Sequence, residues 1–168
     1  RHFTPENAAY FLDCVKEDFD IIIADTGNDL DNGLAIGALE KTAERFLVLT
    51  QQETMLKRAE TFRVFYSRLG IVFCRTIINK YSGEDPYDME YIAKRLKLPG
   101  TEMIRVGNSL FSRQAEMEYR TLLNYKDSEY RENIAAIAAV ILERCGFEQT
   151  EAEKRRRRIW KPFTWMST

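Results

Sequence analysis

Residues Phe19 to Ala24 read FDIIIA, a short and nearly continuous apolar run with three consecutive isoleucines. Such a run is typical of a strand covered on both faces, as in parallel sheets. It predicts a buried strand over Phe19 to Ala24, and everything else in the chain has to be compatible with covering it.

The flanking patterns are compatible. Thr4-Pro5-Glu6 reads as a helix start, with Thr4 as cap and Pro5 in the first turn. Ala8, Phe11, Leu12 and Val15 then follow at helical spacing, and Asp18 closes the helix. A helix is predicted over Asp31 to Glu44, a strand over Arg45 to Thr50 and a strong helix over Glu53 to Leu69, ended by Gly70. A third strand is predicted over Ile71 to Asn79, a loop over Tyr81 to Pro86, and a helix over Tyr87 to Leu96 stopped by Leu98-Pro99-Gly100. Asp85, Asp88 and Glu90 give that helix an acidic start that complements its dipole. A shorter strand over Thr101 to Val106 and helices around Ser109 to Tyr119 and Ser128 to Cys145 complete the body.

Strand and helix thus alternate, with crossovers long enough for right-handed βαβ units. The expected fold class is α/β: three layers, doubly wound, a mostly parallel sheet of about four strands with helices on both faces. One domain is expected over residues 1–147, followed by a tail over 148–168. In such folds ligands sit outside the carboxyl ends of the strands. That rule directs attention to Asp25 to Asn32, Thr50 to Thr54, Asn79 to Ser82 and Val106 to Ser109.

Several chemistries are set aside by composition. The chain has 168 residues, 45% hydrophobic and 30% charged, as expected of a folded globular protein. No apolar run approaches the ~20 residues needed to span a bilayer, and RHFTPENA does not read as a signal peptide, so a cytoplasmic location is expected. Cys14, Cys74 and Cys145 are far apart and odd in number, which suits buried thiols better than a disulfide framework or metal site. His2 is the single histidine and lies at the extreme terminus, which leaves no usable base for Ser-His-Asp or Cys-His catalysis.

Charge divides the chain in two. Lys154, Arg155, Arg156, Arg157, Arg158 and Lys161 place six cations in the last fifteen residues, which hold no acid. Taking these from 25 basic residues leaves 19 against 26 acidic ones, a balance of −7 for residues 1–153. An acidic body argues against nucleic-acid binding outside the tail. The tail interleaves its cations with Ile159, Trp160, Phe163, Trp165 and Met166. That mixture suits docking on protein, either a partner or the chain's own body, and a membrane surface about equally, through Lys154 to Thr168. Nucleic acid ranks third. Pro162 prevents one continuous helix through the segment.

Asp25 is the sharpest chemical candidate. A carboxylate just past an apolar strand emerges at the sheet edge, where it can orient a water on Mg²⁺ or bind the ion directly. The plainer role is to cap the next turn, as aspartate commonly does. Thr26-Gly27 adds weight to the first, because glycine lets backbone N–H groups approach a phosphate.

The order FDIIIADTG, an acidic helix start, then RFLVLTQQETMLKRAETF resembles the second half of the ParA/MinD group of deviant-Walker P-loop ATPases. GTEMIRVGNSLFSRQAEM resembles their strand, polar loop and helix near the base, with Arg105-Val106 where the family often has Ile-Pro. The resemblance implies ATP and Mg²⁺ as cofactors, with Asp25 as the Walker B carboxylate holding Mg²⁺ through water. It implies that Thr26, Gly27, Asn28 and Asp29 form the switch that senses the γ-phosphate. Asn79 would hydrogen-bond adenine, and Val106, Gly107 and Asn108 would flank the base. The surface bearing Lys57, Arg58, Arg63 and Arg68 would lie near a nucleotide-sandwich homodimer, although a solvated basic helix face explains any one of them as well. Proteins of this type position cellular cargo, and some end in a membrane-targeting segment at the inner face of the cell membrane.

The family's glycine-rich KGGxGKT loop is absent, since no G-x-x-x-x-G-K-S/T run occurs in the chain. The reading is therefore the C-terminal portion of such an ATPase, with no catalytic residue of its own. The alternatives are a non-catalytic scaffold that kept the fold, and an unrelated doubly wound domain such as a receiver with Asp25 as phosphoacceptor.

Overall fold

The structure, a computed structural model, describes residues 3–29, 32–98 and 103–147. Helix α1 (Pro5–Val15) starts where Thr4 donates its backbone N–H to Asn7 Oδ1 at 2.9 Å. Helix α2 (Gly33–Lys41) is capped by Asn32, whose Oδ1 accepts the N–H groups of Leu34 and Ala35, so it is shorter at both ends than the predicted Asp31 to Glu44. The two helices pack closely because α2 presents glycine to the start of α1. A Cβ on Gly33 would lie 2.2 Å from the Phe3 carbonyl oxygen, and one on Gly37 2.1 Å from that of Pro5.

Strands β1 (Phe46–Leu49), β2 (Arg75–Tyr81) and β3 (Met103–Gly107) form a parallel sheet in the order β1-β2-β3. The connections are α3 (Glu53–Arg68) and α4 (Met89–Leu96); α5 (Ser112–Met117), a 3₁₀ turn and α6 (Ser128–Arg144) follow β3. Leu49 pairs with Ile78, and side chains two apart share a face, so Leu47, Leu49 and Ile78 point the same way. Onto them pack Leu56 and Ala59 of α3 and Ile92 and Leu96 of α4, which together form the main core. A second cluster joins Leu39 of α2, Tyr66 of α3 and Ile71, with Phe65 and Phe73 edge-on to the Tyr66 ring. Helix α6 packs against β3.

The structure departs from the sequence reading at its starting point. Residues 19–24 form no strand, and the sheet has three strands among the described residues rather than about four. Phe19 is 61% exposed and Ile23 79% exposed. An apolar run becomes a buried strand only when neighbours supply a ladder and cover both faces. Here β1 pairs with β2 alone, and its other edge is open among the described residues. The segment and β1 line the same cavity. Lys41 of α2 reaches Asp13 of α1 at 2.9 Å, and Arg58, in the second turn of α3, donates to the Asn28 carbonyl at 2.7 Å. Smaller differences are a β2 that begins at Arg75 rather than Ile71, and thiols that are not buried, Cys14 and Cys145 being exposed and Cys74 half-buried. The tail from Lys154 to Thr168, and the membrane, partner and nucleic-acid expectations attached to it, lie outside the described residues. Among the described residues no helix is long and apolar enough to cross a membrane.

Candidate functional site

The carboxyl edge of the sheet is built from the turns after β1, β2 and β3. Gln51, two residues past β1, is 5% exposed and does most of the joining. Its Oε1 accepts the Ser82 N–H at 2.7 Å, while its Nε2 donates to the carbonyls of Ser82 at 3.0 Å and Tyr87 at 2.9 Å. A carboxamide can do this because it carries both donor and acceptor. Beside it, Thr50 Oγ1 is buried with no hydrogen-bond partner among the described residues. The edge is therefore polar and held in register by one side chain.

Asn79, placed in the adenine-reading role by the resemblance, lies inside β2 rather than at its end. Its Oδ1 accepts the Lys80 N–H at 2.9 Å, and Lys80 adopts a φ of 54°. The pairing with β3 is irregular between Ile78 and Tyr81, so Asn79 sits in a local bulge. Val106 is 2% exposed, and its side chain belongs to the core rather than to a surface that could flank a base. Gly107 pairs with Tyr81, and the exposed Asn108 donates its backbone N–H to the Tyr81 carbonyl at 3.3 Å.

Asp25 is exposed, and its Oδ1 accepts the Gly27 N–H at 3.0 Å. Gly27 has φ 64°, a left-handed conformation that favours glycine, with open space around its Cα. This is the turn-forming role of aspartate. Thr26 is half-buried, Asn28 and Asp29 are exposed, and the Asn28 carbonyl is held by Arg58. The Arg58 guanidinium also lies 5.3 Å from the centre of the Phe62 ring, which fixes its direction.

Asp25, Thr26, Gly27 and Asn28 line one end of a cavity of about 880 Å³ between residues 20–28 and the open side of β1. Asn79, Val106, Gly107 and Asn108 are not on its wall. The structure thus brings Asp25 to the switch residues and to Arg58, and leaves the base-side residues apart. Among the described residues no three His, Cys, Asp or Glu side chains gather closely enough to hold a metal.

Below the edge, Arg95 of α4 makes a forked contact to Glu53 and a 2.9 Å bond to Glu60. The Arg95 guanidinium, hydrogen-bonded to its carboxylate, holds Glu53 down to about 2. Glu53 in turn pushes the Tyr87 hydroxyl up from its ordinary range. The Tyr87 carbonyl is the one that Gln51 holds, so this charged cluster underpins the edge.

Gln51 and Arg58 are the residues that sequence reasoning passed over or left as a solvated face. Gln51 fell in a segment marked by the carboxyl-edge rule, which was its only signal. Comparison with protein families, curated proteins and solved structures gives no match for this chain.

Proposed function

We propose that this chain is the C-terminal portion of a ParA/MinD-type ATPase, an ATP- and Mg²⁺-dependent homodimerisation switch that positions cargo in the cytoplasm or at the inner face of the cell membrane. The observation that carries the reading is the setting of Asp25. It follows the apolar run of residues 19–24 and lines the cavity beside β1, in a turn whose Asn28 carbonyl is held by Arg58 of α3. In doubly wound nucleotide sites a carboxylate after an apolar segment meets a phosphate-bound Mg²⁺. In this reading Thr26 to Asp29 respond to the γ-phosphate. Asn79 and Asn108 approach the base after a local rearrangement.

The chain holds no lysine-bearing glycine loop, so hydrolysis is expected of the whole protein and not of these residues alone. A fluorescent ATP analogue titrated with Mg²⁺ into the protein made from the complete reading frame tests the assignment. Asp25→Ala with Asn79→Ala should weaken binding by about tenfold or more, on the order of 1.4 kcal/mol. Unchanged binding would sink it.

A second reading, a scaffold that keeps the fold without nucleotide, is favoured by one feature. Asp25 and Asn79 both spend an oxygen on neighbouring backbone N–H groups and share no cavity. Absence of any nucleotide binding by the unmodified complete protein would select it.

A further inference from the structure

The cavity beside β1 is large, apolar and open. Its wall includes Ile22, Ile23, Val48, Leu49, Phe62 and Ile141. Val48 is 53% exposed although it sits in the middle of a strand, and Ile23 is 79% exposed. Contiguous exposed apolar surface of this kind marks an interaction site. We propose that the chain's own tail, residues 154–168, docks in this cavity.

Two observations select that occupant. The first is where the described chain ends. Ile141, Arg144 and Cys145, from the last turn of α6, line the cavity, and Arg144 Nε lies 3.3 Å from Glu44 Oε1, at the entry to β1. The tail therefore leaves from the cavity's own rim. Eleven residues lie between Phe147 and Ile159, and a chain over that interval spans up to about 40 Å.

The second is size and chemistry. Residues 159–166 carry Ile159, Trp160, Phe163, Trp165 and Met166, five apolar side chains in eight positions. Strand rise, strand spacing and sheet spacing allot about 160 Å³ to one strand residue, so a cavity of about 880 Å³ takes roughly five or six. Pro162 lacks an N–H and cannot continue a ladder along β1, so the contact is made by side chains. This inference stands on the cavity and the tail and does not depend on the nucleotide reading.

The chain carries its own reporters, since Trp160 and Trp165 are its two tryptophans and both lie in the tail. Tryptophan emission and acrylamide quenching of the full chain, without partners, therefore read the tail alone. Docking predicts emission well to the blue of that in denaturant, several-fold protection from quencher, and no change on dilution. Ile23→Asp, at an exposed position outside any helix or strand, should move the emission back to the red while the far-ultraviolet helical signal is kept. Emission of the unmodified chain that already matches the denatured tail overturns the proposal. A blue shift that appears only with anionic phospholipid vesicles or duplex DNA, or that disappears on dilution, also overturns it, and assigns the tail to a membrane, to nucleic acid or to a second copy. A blue shift retained in a folded Ile23→Asp chain places the tail elsewhere and overturns it as well.

Discussion

Gln51 shows how much one buried amide can hold. It ties the turn after β1 to the turns after β2 and before α4 through three hydrogen bonds. Gln51→Leu keeps the volume and removes all three bonds, leaving the Ser82 N–H and the Tyr87 carbonyl unpaired, while the Ser82 carbonyl keeps the Asp85 N–H at 3.4 Å. An unsatisfied buried polar group costs about 1–3 kcal/mol, so a loss of about 2–3 kcal/mol is expected, read as a lower urea midpoint with an unchanged slope. Nothing in the sequence marked Gln51 above Gln52, because the distinction lies in which side chain the tertiary fold turns inward. Glu53 gives a prediction of a different kind. Its carboxyl is held at about 2 in the folded chain against an ordinary 4.5, mainly by the Arg95 hydrogen bonds. A depressed carboxylate contributes stability that is present above about 4.5 and lost as pH falls toward about 2. Urea midpoints measured between pH 6 and pH 3 should therefore fall more steeply for the natural chain than for Glu53→Gln. Equal slopes would mean that the Arg95 contact adds nothing.

The junction of α1 and α2 depends on glycine for contact, not for backbone freedom. A methyl group on Gly37 would sit 2.1 Å from the Pro5 carbonyl oxygen, which is backbone and cannot swing aside. Gly37→Ala should destabilise the chain by about 1–3 kcal/mol and expose the α1 segment to limited proteolysis first. Gly83→Ala, where the added carbon meets open space, should leave both unchanged. Elements whose signal is local were legible: α3, α4 and α6 begin and end within a few residues of their caps and periodic stripes. The start of β2 was not. Ile71 donates its N–H back to the Tyr66 carbonyl at 2.9 Å and is buried under that ring, so the apolar residues after Gly70 close the end of α3 before the strand begins. Residues 19–24 failed for a related reason. An apolar run reports the need for cover, and whether cover exists is decided by neighbours that the run does not encode.

Taken together, these packing differences divide the molecule by stability. β2 is paired on both sides, Ile78 is fully buried, and Thr76 is 1% exposed. α1, by contrast, has α2 as its principal packing partner and exposes Tyr10 and Phe11, while the segment from Phe19 to Asn28 forms no ladder. Local opening follows such differences: regions with few buried apolar contacts exchange through small fluctuations, and core strands exchange only on global unfolding. Native-state hydrogen exchange should find the amides of Thr76 to Ile78 slowest, at the free energy of global unfolding. Those of residues 19–28 should be the fastest described here. The same experiment bears on Asp25. A carboxylate on a weakly held segment is free to reorganise around a ligand, so a nucleotide with Mg²⁺ that engages Asp25 to Asp29 must slow exchange there selectively. Docking of the tail along the same cavity must instead slow residues 20–24 in the ligand-free chain relative to the Ile23→Asp chain, while leaving them faster than β2. Protection of residues 19–28 equal to that of β2 without any ligand would contradict the division, and would mean that the segment has become the sheet's fourth strand.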